Sequence, residues 1–337
     1  MSSVFYSRPG TARLLAAAAS ALSLLLSLSL SLPAAAQVFY SAGGSARADA
    51  SGFGQSVSLP VDIRSAGGPS PVGSITTNRY AQLTGGNGFV SALAQTSGRP
   101  ALGGVHVQAY TLIESQNGDP LSAELGYTVA DATGSFSDFF VLNVPGYAPG
   151  TLFSITAGVR VDAFTALTPT ISNNVGASTF ETAASWFSRA AIFSANGGAA
   201  LVDQNDSLSC WQNQSGAGCA GTGDGWRTLS FTMPSQSWAA QVLITGRART
   251  SSQAFVVGGG GAYVTALADL GHTIGWGGIS SVVDPAGNAV TAFSALSASS
   301  GFDYRRAYVS AVPEPASALL WLAGVVAIGV MKRHRAR

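Results

Sequence analysis

Two histidines, His106 and His272, precede the C-terminal tail, and paired with an acid either would be the chain's general base. His106 stands inside an alternating apolar run and His272 beside the start of another, so both read as strand residues rather than a catalytic pair. The signatures His-Glu-x-x-His, Gly-x-Ser-x-Gly and Gly-Lys-Ser/Thr are missing, and Gly258–Gly261 lacks the lysine of a phosphate cradle. Hydrolase and nucleotide chemistry therefore find no constellation. Asp203-Gln204-Asn205-Asp206-Ser207 offers oxygens to calcium, but without the glycine and distal glutamate of an EF-type loop it reads as an exposed turn. No cofactor and no metal is expected.

Cys210 and Cys219 are the only cysteines. In an exported chain they read as a disulfide closing the glycine-rich loop Trp211–Gly218, which stabilises by about 2–3 kcal/mol. No histidine is near and the spacing fits no common zinc site. Of the tryptophans 186, 211, 226, 238 and 276, most are expected to anchor a core. Trp211 differs: among Asn and Gln inside the bridged loop, an exposed ring there can stack on a sugar face.

The elements that must carry these residues are β-type. Val105–Ile113 alternates, and Ala123–Ala130 followed by Asp131-Ala132-Thr133-Gly134 and Phe136–Val144 reads as a hairpin. Leu152–Ala163 alternates along one long strand, apolar at 153, 155, 157, 159, 161 and 163. Ala184–Phe193, Trp226–Met233, Ala239–Arg249, Tyr263–Leu270 and His272–Val283 continue the series, with a turn at Asp284–Asn288. Helical periodicity of useful length is missing between them. The fold class expected is all-β, an antiparallel β-sandwich or jelly roll, as one large domain or two small ones.

The two ends differ from this body. Residues 1–36 carry Arg8 and Arg13, an apolar run from Leu14 to Leu32 and then Pro33-Ala34-Ala35-Ala36. This is a signal-peptide pattern with cleavage expected after Ala36, engaging the Sec translocon and signal peptidase. The last 26 residues hold Val312-Pro313-Glu314-Pro315-Ala316, the uncharged run Ser317–Met331 and the basic end Lys332–Arg337. At 1.5 Å per residue the run spans about 22 Å, a short transmembrane helix anchored by Trp321, Lys332 and Arg333. The basic end faces the cytoplasm by the positive-inside rule. Pro313 and Pro315 fix φ and keep Val312–Pro315 extended. Only 10% of residues are charged, and mean hydropathy is +0.29. The body between the ends, 37–311, has no lysine and more acids than arginines, which gives nucleic acid no electrostatic foothold.

The order Val-Pro-Glu-Pro-Ala, apolar span and basic terminus resembles the PEP-CTERM sorting signal of Gram-negative bacteria. Residues 263–303, with Trp276-Gly277-Gly278-Ile279 and the serines ahead of Asp303-Tyr304, are similar to the distal part of many cargo proteins of that family. The resemblance implies recognition of Val312, Pro313, Glu314 and Pro315 by exosortase, transient residence in the inner membrane, and delivery to the cell surface or extracellular matrix. It further implies producing cells that make exopolysaccharide. Two functions follow as expectations: a non-enzymatic exported surface or matrix protein, or a carbohydrate-binding module of the exopolysaccharide matrix.

Overall fold

The computed structural model describes residues 37–308 except 71–72, 86–87, 118–122, 173–177 and 196–198, with backbone alone at 271–273. The chain divides into two compact units, Met1–Gln37 and Val38–Arg337, and every described strand lies in the second. The expected signal segment with Ala36, the sorting residues Val312–Pro315 and the span Ser317–Met331 lie outside the described residues. Among the described residues, no helix is long and apolar enough to cross a membrane.

Every element among the described residues is a strand, and all pair antiparallel in two sheets. The large sheet runs in the order β11 (Gly216–Gly221), β10 (Ala200–Asn213), β9 (Thr179–Ser194), β13 (Ala240–Val257), β7 (Ala123–Asn143), β1 (Phe39–Gly52) and β2 (Gln55–Ser58). Two short strands complete it: β3 (Asp62–Gly68) on β1 and β15 (Ser294–Ser297) on β7. The small sheet has the order β12 (Gly225–Pro234), β8 (Leu152–Ser172), β14 (Gly261–Val283), β6 (Gly104–Gln116), β5 (Gly88–Ala101) and β4 (Ile75–Gly85). Their inner faces meet in one β-sandwich, whose main apolar cluster draws Phe136, Phe140, Trp186 and Ile244 from the large sheet and Val107, Phe153, Val159, Ile274 and Trp276 from the small one.

The expected period-two burial holds along β8, where Phe153, Ile155, Ala157, Val159 and Val161 are buried. Several strands exceed their expected lengths. The residues read as a hairpin form one strand, β7, of 21 residues. Asp131–Gly134 makes no turn because the inward phase is unbroken: Ala130, Ala132, Gly134 and Phe136 all face the core. Asp131 points outward to an ion pair with Arg247 of β13. Likewise, Tyr263–Leu270 and His272–Val283 join into the 23-residue β14, with an irregular register between Asp269 and Ile274. The expected loop at Asp203–Ser207 is the middle of β10: Asp203 holds Arg189 through two hydrogen bonds of 2.7 and 2.9 Å, and Asp206 holds Arg227 at 2.9 Å.

The sheets approach closely because small residues line the large sheet's inner face. A Cβ on Gly134 would stand 2.7 Å from Val105 Cγ1, and one on Gly246 2.8 Å from Ile274 Cδ1. A layer of buried hydroxyls also crosses between the sheets: Ser252 of the large sheet bonds Thr111 of the small sheet at 2.9 Å and Thr182 at 3.1 Å. Paired with one another, these groups avoid the penalty of burial without a partner.

Candidate functional site

The most elaborate polar arrangement among the described residues holds down the segment that leads to the C-terminal tail. Asp138 lies on the inward face of β7 and is fully buried. Beyond Phe39, where β1 ends its pairing, β15 takes over the same side of β7, with Leu296 opposite Val141 and Ser297 opposite Phe140. The chain then turns over Asp138. Ser297 and Ser299 each donate to Oδ1 at 2.8 Å, Ser300 donates to Oδ2 at 2.6 Å, and the Tyr304 hydroxyl donates to Oδ2 at 3.0 Å. The amide of Phe139 adds a bond to Oδ1 at 2.7 Å. A carboxylate has about four lone-pair sites, and here hydroxyl donors replace the water it loses on burial.

Tyr304 is the apolar half of this clasp. Its ring stacks on Phe140 with centroids 4.8 Å apart and meets Trp276 and Phe302 edge-on at 5.4 and 4.9 Å. Trp276 Nε1 donates to the Tyr304 carbonyl at 2.8 Å. Burial first, then the neighbouring Asp138 charge, pushes the Tyr304 phenol well above its ordinary value. The Tyr308 amide donates to the Trp276 carbonyl at 2.6 Å, so the chain is tied to the sandwich up to the last described residue. The clasp's acid is enclosed and saturated with donors.

Cys210 and Cys219 are bonded, and they face one another across a β-hairpin of β10 and β11 with Cα atoms 4.1 Å apart. The expected glycine-rich loop is thus two paired strands with a tight turn at Gln214-Ser215, and Gly218 lacks the side chain that would crowd the indole. Trp211 is 47% exposed. Three of its ring atoms stand 3.3–3.4 Å from where a Gly218 Cβ would be, so one face of the ring lies on the hairpin and the other is open.

Trp186 and Trp276 are the buried anchors expected, whereas Trp226 is 60% exposed on the edge strand β12, its ring over Gly158 and Gly277. The outward phase of Arg160 and Trp226 on β8 and β12 puts it there. His106 is half-buried on the outer face of the small sheet, opposite Arg99. The register pairs Gln108 with Asp269 and Val105 with Ile274, which places the backbone of His272 in the stretch of β14 facing His106 and Val107. Gln108 donates to Asp269 at 3.1 Å there.

Sequence reasoning missed Asp138 and its serines. The available signal was an acid in the inward phase of Phe136, Phe140 and Leu142, a position that demands a buried partner.

No curated protein matches the chain. A match does fall on the segment just beyond the clasp, at residues 311–336, and it is to the family described as the PEP-CTERM protein-sorting motif. That motif implies a membrane-associated sorting step with exosortase as processing partner, followed by export to the cell surface. The chain is a β-sandwich that carries a PEP-CTERM sorting motif at residues 311–336, just after the clasped segment in the sequence.

Proposed function

We propose that the sandwich is a non-enzymatic surface or matrix protein, exported through the Sec translocon with cleavage after Ala36. The run Ser317–Met331 then holds it transiently in the inner membrane until exosortase reads Val312, Pro313, Glu314 and Pro315. The observation that carries this reading is the clasp: the fold is secured by Asp138 up to Tyr308, three residues before the motif match begins. A domain whose C-terminal segment is held this way is a finished cargo. The test is fractionation of cells producing Glu314→Ala. The variant is expected to accumulate in the inner membrane while the parent chain reaches the surface, and equal delivery of the two overturns the reading.

A second reading, a carbohydrate-binding module of the exopolysaccharide matrix, is favoured by the open face of Trp211. A glycan array with the parent and Trp211→Ala chains decides it, loss of signal in the variant supporting it and equal signal refuting it.

A further inference from the structure

We propose that the cleft where β6, β14 and β8 meet the β13–β14 turn is a binding site for an uncharged saccharide. The inference is independent of the sorting reading, and it shares with the Trp211 reading only the class of ligand.

The cleft measures about 460 Å³, within the roughly 300–1,000 Å³ typical of small-ligand sites. Strand register builds it as a grid. In one row Glu114 of β6, Tyr263 of β14 and Thr170 of β8 stand side by side. In the next row Gln116, Gly261 and Ser172 do the same, with Phe89 of β5 beyond Gln116. Cross-strand partners project from the same face, so these side chains are neighbours about 5 Å apart. Gly261 therefore puts no side chain between Gln116 and Ser172, and the Ser172 hydroxyl leans into that space. A Cβ at Gly261 would stand 2.9 Å from Ser172 Oγ and 3.3 Å from the Ser115 carbonyl. Beside Gly261, Gly258 and Gly259 take φ of +69° and +76°, which lets the turn pass without side chains.

The lining selects the ligand's chemistry. Tyr263 is 44% exposed and offers a ring face to the apolar C–H side of a sugar. Gln116, Thr170 and Ser172 both donate and accept, as a ring of hydroxyls requires, and Glu114 accepts. The sole charged lining residue is Glu114, so the cleft attracts no anion and disfavours acidic sugars. One carboxylate is too few for a divalent cation, which takes six or more oxygens when it is calcium.

The test is equilibrium binding to the full chain, solubilised in a detergent without a sugar headgroup. The probes are short neutral glucan, mannan and galactan oligosaccharides, with an oligoglucuronate as the acidic counterpart. At least one neutral series is expected to bind and the acidic one to bind more weakly. Tyr263→Ala is expected to weaken binding about tenfold or more. Tyr263→Phe should retain most of it, and Trp211→Ala should bind as the parent does. Should Tyr263→Ala fail to fold, Glu114→Gln decides, since an exposed rim residue weakens binding without disturbing the core. The proposal is overturned if no neutral series binds, if the acidic series binds more tightly, if binding survives in folded Tyr263→Ala or Glu114→Gln, or if Trp211→Ala abolishes it. Normal surface delivery of a chain that binds no saccharide sinks this inference and leaves the sorting reading intact.

Discussion

Two acids on the inward face of β7 meet opposite fates. Asp138 has its oxygens filled by hydroxyls, whereas Glu124, also fully buried, accepts from Ser115 on Oε2 and has no partner on Oε1 among the described residues. Burial accordingly raises the Glu124 carboxyl above its ordinary value, with the Ser115 bond opposing. A raised folded value means that the contribution to stability is complete below the unfolded pKa, about 4.3, and is lost as pH rises toward the folded one. Glu124→Gln is expected to remove that decline and to leave the protein at least as stable at pH 7, by up to about 1 kcal/mol. Denaturant titrations at pH 4 and pH 7 check this, and a destabilised variant at pH 7 argues for an ionised role. Tyr304 follows the same sign at the alkaline end. Its contribution is full below about pH 10, where the unfolded phenol ionises, and above that the slope reaches about 1.4 kcal/mol per pH unit. Tyr304→Phe is expected to lose the bond to Asp138, costing about 1–3 kcal/mol at neutral pH, yet to flatten stability between pH 10 and 11. A parent-like alkaline decline in the variant would assign the slope elsewhere.

Strands, not loops, account for most departures from the sequence reading. The all-β class and the inward set of β8 were legible because alternation is a local property of the chain. The continuity of β7 was not, since Asp131-Ala132-Thr133-Gly134 has turn chemistry that only its partners override: Arg247 on one side, Val105 and Val107 facing Gly134 on the other. The clasp was equally hidden, because Ser297 and Tyr304 reach Asp138 from 159 and 166 residues away. The Cys pair was legible from its count, although its setting in a hairpin was not. Two predictions belong to this scale. Gly246→Val drives a side chain into Ile274 and Val107 and is expected to cost about 1–3 kcal/mol in a thermal or denaturant melt, more than the same change at exposed Gly223, where a Cβ meets nothing within 4 Å. The Cys210–Cys219 bridge closes a short loop, so Cys210→Ser/Cys219→Ser is expected to lose about 2–3 kcal/mol. Intact mass before and after reduction checks the bridge itself, two free thiols in the native protein ruling it out.

At the scale of the whole molecule, the question is how a rigid sandwich and a processing signal share one chain without obstructing each other. Tyr308 is tied to Trp276, and the motif match opens at residue 311. Even fully extended, the five steps from Tyr308 to Pro313 reach no more than about 18 Å. The Asp138 end of the sandwich therefore stays close to whatever reads the motif, and an enzyme must work in that gap. Folding and sorting are then separable in one direction only. Glu314→Ala alters a residue outside the clasp and is expected to leave the melting temperature of the domain unchanged while stopping delivery. Asp138→Ala leaves the motif intact but removes the acceptor of four hydroxyls, of which those of Ser297 and Tyr304 are buried, and is expected to lower stability by about 3 kcal/mol or more. The gap itself is tested by length. Deleting Val309 and Ser310 draws the motif against the folded face and is expected to slow processing, as read by conversion of precursor to surface form in a pulse-chase. Inserting a flexible Gly/Ser stretch at the same point is expected to leave processing at least as fast, because it adds room without touching either partner. If insertion slows processing instead, the enzyme reads the clasped face together with the motif, and spacing rather than access is what the fold supplies.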